Sequence, residues 1–382
     1  MRKLVSTLIV LSLTVLAFSA LVGCNKKNGS TSSTVYGFNY SVTTSKDAGE
    51  GYQGFATVKK YVLTDEQTKA LAAGNYYGNT FDLVIPEEYV TKSGEKYKVN
   101  AIDDGAFANQ LLIKSVKIGP HITEVGEGCL AGCANLNTLE ISFAGASADA
   151  INNKKTVSYL FGTSEADGTT AVTTYYNGGD SGNSATYYIP TALKTVILTG
   201  DTVGEYAFNG LNVQNIVLNG NVTEIGAYAF ANTTGVKSVK LPATVTKIGK
   251  GAFESSSVTS VNFAALTALD TIGADAFKNA NSFGKTIDVV LPASVTTIGA
   301  GAFYSCANLK KVDLSACALT AIPENAFYSC KALEEAKLPA VTSIGKGAFI
   351  LCEKLEKTAL TVDGTEVTDA YGAGVFDEDF FA

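Results

Sequence analysis

Arginine, histidine and tryptophan are nearly missing from this chain of 382 residues: Arg2 is the one arginine, His121 the one histidine, and tryptophan does not occur. Arg2 falls in an N-terminal stretch that reads as removable. The remaining chain therefore has no guanidinium for the bidentate clamps that grip carboxylate or phosphate. A hydrolase built on a Ser/His/Asp or Cys/His arrangement would have to use His121 as its base. That residue stands in "IGPHIT", where sister segments carry alanine after "LP", the place of a solvated turn rather than of a general base. Enzymes that work with carboxylates alone, such as glycosidases, are not excluded by this count. Basic charge is also short, with 29 Lys and Arg against 36 Asp and Glu, and the lysines are scattered. Nucleic acid, which needs a concentrated cationic surface, is excluded as a partner.

Turning to what is present, Arg2 and Lys3 precede the apolar run "LVSTLIVLSLTVLAFSALVG", which ends at Cys24. This is the pattern of a secretory signal peptide over residues 1–23. An uncleaved anchor would also be long enough to span a bilayer, but the Gly-Cys ending favours cleavage. The letters "LVGC" resemble a bacterial lipobox. That resemblance implies a diacylglyceryl thioether on Cys24, so that the exported chain is held in the cell membrane or outer membrane and exposed at the cell surface. Removing residues 1–23 takes away Arg2 and Lys3 and no acid, which moves the formal charge from −7 to −9. Residues 24–33 are polar and read as a flexible tether behind the anchor.

Residues 34–100 show apolar alternation in "GFATVKKYVL" and "TFDLVIPEEY" and read as a β-rich N-terminal cap. Within it, "LTDEQTKALAAG" (63–74) predicts a helix, with Thr64 as N-cap, Gln67 completing a capping box and Gly74 past the end.

From residue 101 to 382 the chain repeats itself. "LPATVTKIGKGAF" (241–253), "LPASVTTIGAGAF" (291–303) and "LPAVTSIGKGAF" (338–349) are copies of one sentence. Aligned on their last letter, Phe208, Phe230, Phe253, Phe277, Phe303, Phe327 and Phe349 follow one another at steps of 22, 23, 24, 26, 24 and 22 residues, with Phe107 and Leu130 earlier in the same role. A period in the low twenties predicts a leucine-rich-repeat solenoid, mainly β, of short parallel strands. In "LKKVDL" (309–314), period-2 alternation sends Val312 and Leu314 inward and Lys311 and Asp313 outward. The proline of each "LP" ends the strand, and the glycine after the isoleucine is read as supplying a turn conformation. One unit buries too few side chains to offset the ordering of its own backbone, so stability has to accumulate between neighbours. A stretch from about 142 to 188, rich in Gly, Ser, Thr, Asn and Tyr, breaks the period and is read as an insertion leaving the solenoid as a polar excursion. "GAGVFDEDFFA" at the C-terminus offers "VF" as a degenerate last corner.

The segment "LPASVTTIGAGAFYSCANLKKVDLS", with its L-P, I-G-x-x-A-F and C-x-x-L elements, resembles the BspA-like bacterial leucine-rich repeats over about residues 79–352. The resemblance implies a surface protein that adheres to host matrix proteins, epithelial cells or other bacteria.

Candidate chemistry is sparse. Cys133, Cys306, Cys330 and Cys352 share one repeat position, three after the corner residue. Neighbouring coils about 4.8 Å apart would bring Cys306, Cys330 and Cys352 within reach of disulfide geometry. Thr233, Ser256 and Ala280 fill the same slot elsewhere, which favours small buried residues and free thiols; Cys129 and Cys317 lie outside this column. Zinc would need a histidine or paired C-x-x-C that is not there. "GKGAF" and "GAGAF" lack the following helix and Lys-Ser/Thr pair of a phosphate loop. No metal or cofactor is expected.

The outward strand positions are the candidate ligand face. One column runs Lys117, Glu140, Ile197, Val217, Lys240, Asn262, Val290, Asp313, Lys337; the one beside it runs Ser115, Thr138, Thr195, Asn215, Ser238, Ser260, Asp288, Lys311, Glu335. Ile197 and Val217 form an expected apolar spot, Lys240 and Asn262 follow, and Lys311, Asp313, Glu335 and Lys337 form a mixed-charge patch. Such a surface suits a protein or other macromolecule better than a metabolite. The expected function is thus a monomeric, membrane-anchored binding protein. The alternatives are a carboxylate-dependent secreted enzyme and a nutrient-capturing lipoprotein.

Overall fold

The computed structural model describes residues 37–75, 79–177, 183–285, 287–356 and 359–366. The leader, Cys24, the tether and the C-terminal "VF" lie outside these residues.

Short parallel strands form the predicted solenoid, stacked coil on coil. The principal ladder starts as one sheet in the order Phe81–Val84, Ile113–Lys117, Thr138–Ile141, Thr195–Leu198 and Asn215–Leu218. It is taken up by the pair Ser238–Val239 and Ser260–Val261, then by Val289–Val290, Lys311–Asp313, Glu335–Leu338 and Leu360–Val362, with Thr365–Glu366 turning back antiparallel at the end. A second ladder of two-residue strands carries the "VTxIG" segments: Glu224–Ile225, Lys247–Ile248, Thr271–Ile272 and Thr297–Ile298 in one sheet, Ala321–Ile322 and Ser343–Ile344 in another.

At the corners a third line of hydrogen bonds runs up the stack without any strand. Phe230 N donates to Ala252 O at 2.7 Å, Phe253 N to Ala276 O at 2.7 Å, and Phe277 N to Ala302 O at 2.7 Å. What aims these N–H groups along the stack is a pair of left-handed residues in each coil. Tyr206, Tyr228, Gly251, Asp275, Gly301, Asn325 and Gly347 stand two before the corner phenylalanine, and Gly210, Asn232, Ser255, Asn279, Ser305, Ser329 and Leu351 two after it; all have φ between 54° and 71°.

The glycine of "IG" has a different role from the one its place in the motif suggests. Gly226, Gly249, Gly273, Gly299 and Gly345 are absent from the left-handed set. A Cβ on any of them would instead strike backbone of the preceding coil, 2.5 Å from Gly204 C at Gly226 and 2.2 Å from Ala274 N at Gly299. Close approach between coils requires them, and the turn conformation is supplied two residues further on.

Inside, the corner phenylalanines form a spine. From Phe208 through Phe349 successive ring centroids are 5.0–5.3 Å apart, and beyond the first pair the planes agree within 12°. All seven rings are buried. Burial of this kind is worth about 1.5–3 kcal/mol per side chain, with a further contribution from the stacking.

The N-terminal cap closes the open end of this core. Its sheet runs Gly37–Thr44, Gly54–Val62, Lys96–Ile102, Glu88–Val90, and Lys96–Ile102 also pairs with Glu124–Val125. Glu124–Val125 lies in "ITEVG", an early copy of the segment that forms the second ladder, and here it pairs with the cap instead. Its two edge strands curl together until Tyr40 and Tyr89 stack at 4.4 Å. The predicted helix is present as Asp65–Ala72, with both halves of the Thr64–Gln67 capping box made.

The stretch 142–188 does not leave the solenoid as a whole. Val157–Phe161 is a buried 3-10 helix that continues the corner line: Leu130 N donates to Leu160 O at 2.8 Å, and Val157 N to Ala207 O at 2.9 Å. "VSYLF" is apolar enough to occupy a corner. Only the segment after it departs, as an antiparallel hairpin of Thr169–Tyr175 and Ser184–Pro190.

Candidate functional site

The outward columns of the principal ladder fall in register as the alternation requires. Ser115, Thr138, Thr195 and Asn215 are successive partners, and so are Lys117, Glu140, Ile197 and Val217. Ser238 pairs with Ser260; further on, Lys311 pairs with Glu335 and Asp313 with Lys337. Among the candidate residues, Lys240 is exposed. Asn262 is half-buried and engaged: its amide accepts from Leu241 N at 2.8 Å and donates to Leu241 O at 2.9 Å, bridging neighbouring coils where the formal ladder stops. Val217 is 49% exposed, whereas Ile197 is partly buried, with Glu140 and Val217 flanking it.

The charged end is an ordered network. Glu335 receives Lys311 Nζ on one carboxylate oxygen and Lys337 Nζ on the other, each at 3.0 Å. The hydrogen bonds from Lys337 and Lys311 hold its carboxyl below the usual range, and Glu335 in turn raises both lysines. Asp313 accepts from Ser315 N at 2.9 Å and Ser315 Oγ at 2.6 Å. Lys311, Glu335 and Lys337, with Glu334, Ala359 and Thr361, rim a shallow open depression. At the other end Lys117 and Glu140 pair at 2.7 Å. Between the two ends the outward positions are mostly uncharged, apart from Lys240 and Asp288.

The shared-column cysteines have a physical reason. Cys133, Cys306, Cys330 and Cys352 each donate a thiol hydrogen bond of 3.0–3.2 Å to the carbonyl of the corner phenylalanine one coil back. All six cysteines from Cys129 to Cys352 are buried, and Cys129, Cys133, Cys306, Cys317 and Cys330 stand outside any disulfide, as the small-slot reading expected. Burial pushes the Cys133 thiol up to about 12 and Cys317 to about 11, and it raises Cys129, Cys306 and Cys330 as well. The unfolded chain gives up these protons near pH 9 while the folded chain keeps them. The stabilisation is therefore complete below about pH 9 and is lost as pH rises towards 11–12, on the order of 1 kcal/mol per thiol for each pH unit. Urea midpoints should fall between pH 8 and 10.5, and less steeply in a Cys306→Ser/Cys330→Ser variant. An unchanged slope in that variant would remove the thiols from the explanation.

His121 sits in a turn and is half-buried, and burial lowers its pKa. Among the described residues, no group of three or more His, Cys, Asp and Glu is arranged to hold a metal ion.

A second surface is one that the composition of the insertion did not reveal. Strand Thr169–Tyr175 lays Val172 and Thr174 on the solenoid, and beside it opens a groove lined by Pro190, Thr191, Gly210, Asn212, Asn232 and Thr234. The legible signal was period-2 alternation in "TTAVTTY" and "SATYYIP" on either side of a Gly/Asn/Asp/Ser run.

The profile of the BspA type leucine rich repeat region matches residues 91–158, 201–287 and 265–371, in six copies. The chain belongs to this family. Solved structures similar to it include a leucine-rich repeat protein from Bacteroides ovatus, at 16% identity over 86% of this chain and 89% of that one, with a TM-score of 0.34. A leucine rich cell surface protein from Faecalibacterium prausnitzii shares 18% identity over 92% and 99%, with a TM-score of 0.28. The pneumococcal vaccine antigen PcpA shares 15% over 85% and 80%, with a TM-score of 0.31. No curated protein matches the sequence. In this BspA-type chain, the repeated letters account for the ladders, the spine and the thiol column, and the residues that vary from copy to copy face outward.

Proposed function

We propose that this BspA-type chain is an exported lipoprotein that binds macromolecules on host or bacterial surfaces. Cys24 carries the acyl anchor, residues 25–33 hold the repeats away from the membrane, and the outward strand face makes the contact. The observation that supports this reading is the registered outward surface, whose Lys311–Glu335–Lys337 network is ordered before any partner arrives. Preorganised charges at the rim of a broad face favour protein recognition and fast association. An enzymatic reading finds no comparable convergence: the half-buried His121 belongs to a turn, and the two depressions near the surface are open rather than enclosing.

One experiment addresses both parts. Cells making the full chain should incorporate labelled palmitate into the membrane fraction, and Cys24→Ala should abolish labelling and shift the protein to the soluble fraction. The chain from residue 25 onward should bind fibrillar matrix proteins, epithelial cells or neighbouring bacteria. The Lys311→Glu/Lys337→Glu variant should bind at least tenfold more weakly. Equal binding by that variant would move the contact off the strand face, and absence of binding to every such surface would end the adhesive reading.

A further inference from the structure

Lysines that lie far apart in the sequence fall into line on the fold. One residue before the first outward position of each principal strand, a third column is joined by backbone bonds. Asn137 N donates to Lys114 O at 2.8 Å, Lys194 N to Asn137 O at 2.9 Å, and Gln214 N to Lys194 O at 3.0 Å. Ser238–Val239 then packs beside Asn215–Leu218 and brings Lys237 to the next place. Lysine therefore recurs on every second coil, at Lys114, Lys194 and Lys237, an interval of about 9.6 Å.

All three are exposed. None forms an ion pair among the described residues, and Lys237 Nζ meets only the neutral Thr234 carbonyl, at 3.5 Å. On these coils the two outward columns hold one carboxylate, Glu140, which Lys117 has already taken at 2.7 Å. Lys240 adds another exposed ammonium beside Lys237. Further along, Lys310 occupies the same column, but Glu334 follows it directly, its N–H on Lys310 O at 2.7 Å, and Asp288 stands on the coil before. Those acids close the cationic line.

We propose that this line binds a linear acidic polysaccharide, which lies along the stack and places one carboxylate on each of Lys114, Lys194 and Lys237. The inference rests on the reading of the strand face as the contact surface, and names a partner class at residues outside the Lys311–Glu335–Lys337 network. Charge spacing selects the class. In an extended glycan with a uronic acid on alternate sugars, the carboxylate recurs once per disaccharide, close to the interval of the lysines. Nucleic acid carries a phosphate every 3.4 Å or so on each strand, about three times too dense for this line. An acidic peptide would cross strands whose main chains are already paired with one another, which leaves its own backbone groups unmatched. Thr195, Gln214, Asn215 and Ser238, beside the lysines, are uncharged hydrogen-bonding groups of the kind that sugar hydroxyls meet. With no arginine among the repeats to fork onto a carboxylate, lysine contacts repeated at an interval are the grip that remains. Each is screened from the next at physiological salt and weak alone, so affinity comes from their linkage along one chain.

The test titrates immobilised hyaluronate, which carries one carboxylate per disaccharide, with the chain from residue 25 onward. Carboxyl-reduced hyaluronate, polyglutamate and single-stranded DNA are the comparison arms. Hyaluronate should be bound, more weakly as salt rises. Reduction of its carboxyls should abolish binding, a readout independent of any variant's folding. Lys114→Gln/Lys194→Gln/Lys237→Gln should bind at least tenfold more weakly at an unchanged melting temperature, since all three side chains are exposed. Lys60→Gln/Lys92→Gln/Lys346→Gln removes the same charge from exposed sites elsewhere and should bind as the parent does. Lys311→Glu/Lys337→Glu should also keep hyaluronate. Capture of hyaluronate without binding to any matrix protein would uphold the lysine line and end the protein-adhesion reading. The proposal is overturned if hyaluronate is not bound, if its carboxyl-reduced form binds as well, or if polyglutamate or DNA binds more tightly. It is equally overturned if the two lysine triples lose binding alike, or if Lys311→Glu/Lys337→Glu loses it as the first triple does.

Discussion

Gly299→Ala is expected to destabilise the protein by at least about 3 kcal/mol, whereas Gly204→Ala, at the equivalent letter of an earlier copy, should be neutral or slightly stabilising. The new Cβ at Gly299 would lie 2.2 Å from Ala274 N and 2.6 Å from Ala274 Cα, atoms of a backbone fixed by its own inter-coil bonds. Relief requires the coils to separate, breaking Gly299 N to Ile272 O at 2.8 Å together with the neighbouring contacts. Overpacking usually costs about 1–3 kcal/mol, and a clash with backbone rather than with a flexible side chain belongs at or above the top of that range. Gly204 has nothing within 4 Å of its would-be Cβ and no left-handed backbone. Restricting the unfolded chain there is worth up to about 0.4–1 kcal/mol in favour of folding. Chemical denaturation of the two variants side by side decides the matter: equal losses would mean that the glycine acts through turn conformation after all.

Phe277→Ala should cost about 3–5 kcal/mol, the range for deleting a fully buried ring. Phe277 stacks on Phe253 at 5.1 Å and on Phe303 at 5.3 Å, and Phe283 lies against it at 4.4 Å. Truncation would open a cavity facing these three rings and Phe263, which meets Phe277 edge-on at 6.0 Å, and the backbone bonds of their coils keep them from collapsing into it. Phe277→Leu should cost clearly less, since Leu130 fills the same corner in an early coil with complete burial. A scanning calorimetry trace that splits into two transitions in Phe277→Ala would locate the break between the two halves of the stack, as nearest-neighbour coupling predicts. A loss below about 1 kcal/mol would mean that the spine is filler rather than support.

The ladders, the inward and outward sides of each strand and the helix cap were legible because each depends on a short-range pattern, and the buried thiols because Thr233, Ser256 and Ala280 fill the same slot in other copies. Thr64 and Gln67 are three residues apart, and Val312 and Lys311 are adjacent. What stayed hidden depends on the neighbouring coil. No local signal says that Gly299 meets Ala274, or that Asn262 spends its amide on Leu241. Tyr206 and Tyr228 are ordinary letters in sequence and left-handed in structure, held there by corner bonds to the next coil. "VSYLF" lay within a stretch whose polar composition masked a buried corner.

The way the hairpin is rooted has a consequence for how such a chain can diversify. Gly162 and Tyr188 are one hydrogen bond apart, as are Gly168 and Thr191, while Val157–Phe161 keeps the corner line running from Leu130 to Ala207. Everything between those roots is therefore a cassette with its two ends at one socket. Its length and its exposed letters can be rewritten by recombination or by design, with Val172, Thr174 and Tyr187 kept where they pack on the solenoid, while the register of each coil on either side stays as it is.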